Sequence, residues 1–392
     1  MNIHFPAPDT DSDVYQGFEQ GPVRPPSEAR SLLIRITRNC PWNKCTFCPI
    51  YKRTRFSRRP TEHVKKDIDL IHKYIEALKQ MADENGHVAQ VDLYRVAEGI
   101  QHNEIPALQA AIHWYSSGMR SVFLQDANSL IIKPANLVDI LNHLKNRFPW
   151  VDRITSYARS HTIARIADED LKAFREAGLD RIHIGLESGS DQVLKMVKKG
   201  STKELHIKAG RKIVKAGMEL SEYVIPGLGG REFSEIHALE TADALNQINP
   251  HFIRIRTLAI PSGIPLYEEY AAERFQKPTD LEMVEEILLF IECLEGITSI
   301  IRSDHILNLF EEIDGQLPED KERMMQVLRN FLAMDPERQC LYQVGRRIGV
   351  FSRLDHMESP HRLARVEKTC REHGITPENV DGIIEELVKR FI

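Results

Sequence analysis

Short apolar runs alternate with longer stretches of helical periodicity along the first two thirds of the chain. Ser31-Leu-Leu-Ile-Arg-Ile-Thr37 has the length and composition of a buried strand. A basic loop follows, and from Thr61 apolar residues recur at helical spacing until Asn85-Gly86 stops them. Residues 88–117 predict one or two further helices, with Pro106 near a start and Gly118 just past an end. Ser121 to Gln125 predicts the next strand and Pro134 the start of its helix. Arg153 to Tyr157 and Arg181 to Gly185 predict the third and fourth strands, each followed by a helix, one from Asp168 to a stop at Gly178 and one from about Asp191. Ser201-Thr-Lys-Glu204 is a capping-box pattern for a helix ending at Gly217. A fifth strand over Leu220 to Ile225, a helix over Glu232 to Asn246 and a sixth strand over Phe252 to Leu258 complete the series.

Six strands alternating with helices imply a parallel α/β sheet with right-handed crossovers. The spacing suits a doubly wound sheet and a partial barrel equally. After about residue 275 the alternation stops: Glu282 to Leu294 and Glu319 to Met334 have amphipathic helical patterns, and the rest reads as a small helical end. The expected organisation is an N-terminal extension over 1–30, a core over 31–275 and a helical region over 276–392.

With 42% hydrophobic and 28% charged residues in 392, the composition is that of a soluble globular protein, and no apolar run approaches the roughly 20 residues of a spanning helix. The chain start has neither the basic segment nor the apolar centre of a signal peptide, so a cytoplasmic location is expected. A net charge of −5 gives no sign of a dedicated nucleic-acid binder.

What charge leaves open, the cysteines narrow. Cys40-Pro-Trp-Asn-Lys-Cys45-Thr-Phe-Cys48 places three of six cysteines at C-x4-C-x2-C directly after the first strand. Thiolates suit zinc or an iron–sulfur cluster. Structural zinc needs a fourth ligand at matching spacing, and the nearest histidines, His63 and His72, belong to no paired motif. Three ligands with an open position describe a reactive metal, whereas the scattered Cys293, Cys340 and Cys370 read as inert core residues. The competing readings are a non-catalytic iron–sulfur or zinc module and an ordinary methyltransferase or nucleotide-binding α/β protein.

A first strand leading into a cysteine triplet, with an aromatic between the last two cysteines and β/α units behind it, resembles the radical S-adenosylmethionine (radical SAM) superfamily over about residues 31–260. One extra residue separates Cys40 from Cys45 relative to that family's usual C-x3-C-x2-C. The resemblance implies a partial (β/α)6 TIM-type barrel with a mostly helical C-terminal region. It also implies a [4Fe-4S] cluster on Cys40, Cys45 and Cys48 with S-adenosyl-L-methionine on the open iron, cleaved reductively to a 5′-deoxyadenosyl radical that abstracts a substrate hydrogen. Ligand contacts in such barrels come from the C-terminal ends of the strands. There the resemblance implies Asp126 at the methionine amino group, Arg159 at its carboxylate, and Glu187 and Ser188 at the ribose or methionine end. Ile225 and Gly227 belong to the adenine segment, with Phe47, Ile50 and Leu258 as its neighbours.

An electron donor of flavodoxin or ferredoxin type is the implied partner, and the basic run Lys52, Arg53, Arg55, Arg58 and Arg59 offers a docking surface for it or for an anionic substrate. Only 39 residues precede Cys40, there is no second cysteine cluster, and Ile50 stands where anaerobic coproporphyrinogen oxidases carry a further cysteine, so an oxygen-sensitive one-cluster enzyme is expected. Ser299-Ile-Ile-Arg302 reads as a strand leading into a loop, and Arg302, Asp304 and His305, followed by Asn308, are the substrate-contact candidates of the C-terminal region. The substrate, small or macromolecular, is unspecified.

Overall fold

The computed structural model describes residues 14–388, so the first thirteen residues of the expected extension and the last four of the C-terminal region lie outside the described residues. Its strands are β1 (Leu32–Arg35), β2 (Thr37–Arg38), β3 (Ser57–Arg58), β4 (Ser121–Gln125), β5 (Arg153–Tyr157), β6 (Leu179–Glu187), β7 (Glu219–Val224), β8 (Phe252–Ile255), β9 (Ile300–Arg302) and β10 (Gly315–Gln316). The chain divides into two compact units. The first holds the described residues up to Pro41, Arg53–Ile182 and Ala216–Met218; the second holds Trp42–Lys52, His183–Lys215 and the chain from Glu219 onward. Leu179–Ile182 of β6 belongs to the first unit and the rest of that strand to the second.

In the first unit β1, β4 and β5 run parallel in that order, with Leu32 opposite Val122 and Ser121 opposite Arg153. Leu32, Ile34, Val122, Phe123, Leu124 and Ile154 are all buried, on both faces of the strands, as a parallel sheet covered by helices requires. The strand expected over 31–37 is divided at Ile36, and β2 pairs antiparallel with β3 instead. The helix Thr61–Met81 puts Val64, Ile68, Ile71, Ile75 and Leu78 on one buried stripe. Beside this helix the buried Arg59 pairs with Asp67 at 2.5 Å and with Glu19 at 2.7 Å, and the Tyr15 hydroxyl donates to Asp67 at 2.8 Å. A buried guanidinium left unpaired would be strongly destabilising, and here it has two carboxylates.

In the second unit β7, β8 and β9 run parallel and β10 closes antiparallel on β9. The register places Ser221 and Tyr223 on the same face as Phe252, Arg254 and Arg302, and the Arg254 Nε donates to Ser221 Oγ at 3.1 Å. Val224, Ile253, Ile255 and Ile301 share the opposite, buried face. The region after 275 is mostly helical, as expected, and β9, the strand expected to lead into the 303–305 loop, pairs parallel with β8. Among the described residues no helix is long and apolar enough to cross a membrane.

One polar residue in β7 breaks the apolar rule. Glu222 is fully buried, and neither carboxyl oxygen has a side-chain hydrogen-bond partner. Burial pushes its acid well above the ordinary 4.5 and the charge of Glu187 adds to this, while Lys199 and the Leu186 N–H act in the opposite direction. The native state therefore keeps a proton that the unfolded chain loses above pH 4.5, so stability falls as pH rises from there toward the native pKa. Stability measured by urea unfolding should fall more steeply with rising pH above 4.5 in the wild type than in Glu222→Gln, which has no proton to lose at this position. Equal slopes in the two proteins would refute the buried neutral acid.

Candidate functional site

In the first unit the approach to Cys40 is organised by Asp126. Its Oδ2 accepts from Arg35 Nη2 at 2.7 Å, Arg35 Nε at 3.0 Å and the backbone N–H of Asn39 at 3.0 Å. Asn39 turns the chain with φ near 68° immediately before Cys40, and its side-chain amide donates to the Arg55 carbonyl. Gly21 lies against Asp126 Oδ1, where a Cβ would come within 2.5 Å. The carboxylate expected at a methionine amino group is thus also the counter-charge of Arg35 and the anchor of the residue before the first cysteine. Asn128, which sequence reasoning passed over, is fully buried; its Oδ1 accepts from the Arg159 N–H at 3.0 Å and its amide donates to Thr162 Oγ1 at 2.9 Å. It fixes the backbone that carries the half-buried Arg159 out of β5.

In the second unit the cysteine loop is pinned at several points. The Thr46 N–H donates to the Val197 carbonyl at 2.9 Å, and the Thr46 carbonyl accepts from the Leu266 N–H at 3.1 Å. The Trp42 indole donates to the Lys198 carbonyl at 2.8 Å, and its ring lies so close to Gly200 that a Cβ there would meet it at 2.4 Å. Lys52 Nζ donates to the Cys45 carbonyl at 2.7 Å and to the Asn43 carbonyl at 3.2 Å. Cys45 and Cys48, both half-buried, flank this anchored turn. Phe47 packs with Ile225 against a cluster that includes Val193, Val197, Leu228 and Leu258, so three of the residues expected around adenine share one apolar patch. Ile50 does not join them; it is 44% exposed.

At the end of β6 Glu187 adopts φ near 63°, and its Oε1 accepts from Lys199 Nζ at 2.8 Å with both side chains 13% exposed. Its carbonyl accepts from the Ile225 N–H at 3.1 Å. Ser188 is fully buried and bonded to His237 Nδ1 at 2.8 Å, while His237 Nε2 lies 3.0 Å from the Ile225 carbonyl. Gly227, at φ near 83°, donates its N–H to Glu286 Oε1 at 2.7 Å. The loops after β6 and β7 are thereby joined through side chains of the helices Ser234–Ile248 and Asp280–Glu292, neither of which carries a local sequence signal for such a role.

The C-terminal substrate candidates separate. Asp304 and His305 line a cavity of about 470 Å³ with Ser303, Ile306, Glu311 and Asp314, whereas Arg302 is bound to Asp314 at 2.6 Å and is not part of the lining. Asp304 is clamped by Arg254 at 2.8 Å and Arg256 at 2.7 Å; burial raises its acid, but the two guanidiniums outweigh this and hold it below the usual range. Burial, then the charge of Arg256, pushes His305 down to about 4, so it is neutral at physiological pH. Arg254 and Arg256 were legible as unusual charges in a strand, Phe252-Ile-Arg-Ile-Arg256, yet only the fold joins them to Asp304.

The basic run needs correction: Arg59 is buried in ion pairs and Lys52 serves the cysteine loop, leaving Arg53, Arg55 and Arg58 exposed. Among the described residues no group of three or more His, Cys, Asp or Glu side chains forms a cage for a single metal ion. His63, the nearest zinc candidate, is buried with its ring edge-on to Tyr15. Cys340 and Cys370 are buried, and burial pushes the Cys340 thiol up to about 11, so both behave as core residues.

A family model described as the radical SAM superfamily matches residues 34–242. Among curated proteins the chain is similar to a CDK5RAP1-like protein of Caenorhabditis elegans, 21% identical over 213 residues, which are 53% of this chain and 35% of that protein. It is also similar to a tRNA uridine(34) acetyltransferase of Methanocaldococcus infernus, 23% identical over 122 residues, 31% of this chain and 23% of that one. The chain thus spans well under two thirds of either relative. Of solved structures, the radical S-adenosylmethionine methyltransferase TsrM of Kitasatospora setae with cobalamin and [4Fe-4S] cluster bound is 13% identical, with a TM-score of 0.44 over 91% of this chain and 66% of that one. Because the family model covers more than half of its length, this chain belongs to the radical SAM superfamily of enzymes, and its cofactors are a [4Fe-4S] cluster and S-adenosylmethionine.

Proposed function

We propose that Cys40, Cys45 and Cys48 are the three protein ligands of the [4Fe-4S] cluster and that S-adenosylmethionine binds against Phe47, Glu187, Ser188, Ile225 and Gly227, with Asp126 and Arg159 serving its methionine end. The donor set fits: three thiols fall within nine residues, and a cluster held by three thiolates keeps one iron open for a chelating ligand. When bound and reduced by one electron, the two cofactors supply a 5′-deoxyadenosyl radical that abstracts a hydrogen atom from substrate. The single observation that carries the reading is the pinned Thr46-Phe47 turn, which sets Phe47 beside Ile225 and Leu258.

Each residue has a task its chemistry suits. Phe47, Ile225 and Leu258 offer an apolar seat for a purine and exclude water from it. Glu187 is paired with Lys199 and can accept from ribose hydroxyls through its remaining lone pairs. Gly227 lets backbone approach a ligand where a Cβ would crowd Met283 and Leu258. The exposed Arg53, Arg55 and Arg58 receive an acidic electron donor. Asp304 and His305, on their own cavity, are the substrate-side candidates, and the substrate itself stays open.

Anaerobic reconstitution with iron and sulfide should load about four irons per chain, and replacing all three cysteines by Ala should remove them. Reduction in the presence of S-adenosylmethionine should yield 5′-deoxyadenosine from the wild type alone. Unchanged iron in the triple variant, or one zinc per wild-type chain, would end the proposal. Glu187→Gln should leave iron content intact and raise the KM for S-adenosylmethionine about tenfold or more, because a hydrogen bond to a charged group contributes about 1.5–3 kcal/mol; a KM within about twofold of wild type removes Glu187 from the site. Reversing Arg53, Arg55 and Arg58 to Glu should slow cluster reduction by flavodoxin about tenfold at low salt, with the difference vanishing near 0.5 M salt. A slowing that salt does not relieve rules out electrostatic docking.

A further inference from the structure

The loops after β6 and β7, which carry residues proposed to touch cofactor, share a buried polar connection. Ser188, His237, Thr241 and Glu286 are each at most 4% exposed. The Ile225 carbonyl can only accept, so His237 Nε2 carries a proton and donates to it. His237 Nδ1 is hydrogen-bonded to the Ser188 hydroxyl at 2.8 Å, and that hydroxyl also accepts from the Ser190 N–H at 3.0 Å. Thr241 Oγ1 accepts from the Gly189 N–H at 2.8 Å, holding the same turn from the next position of the helix face.

Glu286 completes the arrangement from the region beyond residue 275. Its Oε1 accepts from the Gly227 N–H at 2.7 Å and lies 3.6 Å from His237 Nε2, and its Oε2 accepts from the Ser234 hydroxyl. One histidine thus bridges the Ser188 turn to the Ile225 carbonyl, and one glutamate holds the backbone two residues further on. Both side chains are buried and bonded to protein partners, so their effect on a ligand runs through the two segments they hold.

We infer that His237 and Glu286 are positioning residues which fix the distance and orientation between the Glu187–Ser188 segment and the Ile225–Gly227 segment, and through them the affinity for S-adenosylmethionine. This rests on the proposed cofactor contacts of those two segments. It also gives the helix Asp280–Glu292 a task at the cofactor loops, which its sequence pattern alone would assign to packing. The strand ladder already sets the Ile225 N–H on the Glu187 carbonyl. What His237 and Glu286 add is the path of the chain after the ladder ends, where no backbone pairing dictates it.

The test uses the full chain, reconstituted anaerobically, with S-adenosylmethionine binding measured by equilibrium dialysis and the reduced cluster followed by electron paramagnetic resonance. His237→Ala and Glu286→Ala should each weaken S-adenosylmethionine binding about tenfold or more and raise its KM with little change in kcat, at unchanged iron content. Glu286→Gln, which still presents an oxygen to the Gly227 N–H, should return to within about threefold of wild type. The double alanine variant should fall short of the product of the singles, since both act on one loop. If either alanine variant fails to fold, His237→Asn, which keeps a polar group at the Nδ1 position but is too short to reach the Ile225 carbonyl, should still weaken binding several-fold. Wild-type binding in the Ala variants, or equal loss in Glu286→Gln and Glu286→Ala, overturns the inference while the proposed cofactor site stands. If the wild type itself binds no S-adenosylmethionine, the cofactor site and the inference fall together.

Discussion

Trp42–Lys52 carries two of the three clustered cysteines on chain that forms neither helix nor strand, so its position is only as definite as the hydrogen bonds it borrows. Thr46 supplies both kinds of backbone group to neighbours that are themselves ordered, donating to the end of one helical segment at Val197 and accepting from Leu266 at the start of another. The Trp42 indole and the Lys52 ammonium take up carbonyls at either end of the turn. With those groups committed, Phe47 has one place to go, the cluster that also holds Ile225 and Leu258. An irregular loop bearing soft ligands is thereby held to a defined shape without regular secondary structure, leaving its cysteines half-buried and reachable.

Two physical solutions to buried charge recur in the structure. One is pairing: Arg35 with Asp126, Arg59 with Asp67 and Arg347 with Asp280 each bring a buried cation and anion within hydrogen-bond distance. The other is neutralisation, as at Glu222, where desolvation outweighs what Lys199 can offset. The difference matters for function. Paired groups such as the fully buried Asp67, bonded to Arg59 and Tyr15, hold the chain, whereas the less buried Glu187, paired with Lys199, keeps lone pairs to spare.

Legibility followed the range of the interactions. The strands over Ser121–Gln125 and Arg153–Tyr157 and the helix start at Pro134 match the periodic pattern, because hydrophobic alternation and capping are decided by residues a few positions apart. The stretch 88–117 resolves into the helices Gln90–Ala97 and Ile105–Ser116, the second opened by Pro106 at its first turn. The three-residue β9 falls within Ser299–Arg302, read as a strand, but its parallel pairing with β8 comes only from the fold. Among site residues, Phe47, Ile225 and Leu258 were named from the family resemblance, and the fold gathers them; Ile50 was named with them and is exposed.

The sequence by itself determined the family, the thiol spacing and the order of strands and helices, all of which are written in covalent spacing and local periodicity. Only the tertiary structure decided how the polar residues are spent. Arg35 meets Asp126 across 91 positions, Ser188 meets His237 across 49 and Gly227 meets Glu286 across 59. No local pattern marks such partners, because burial makes their pairing necessary and burial exists only once the strands and helices have packed.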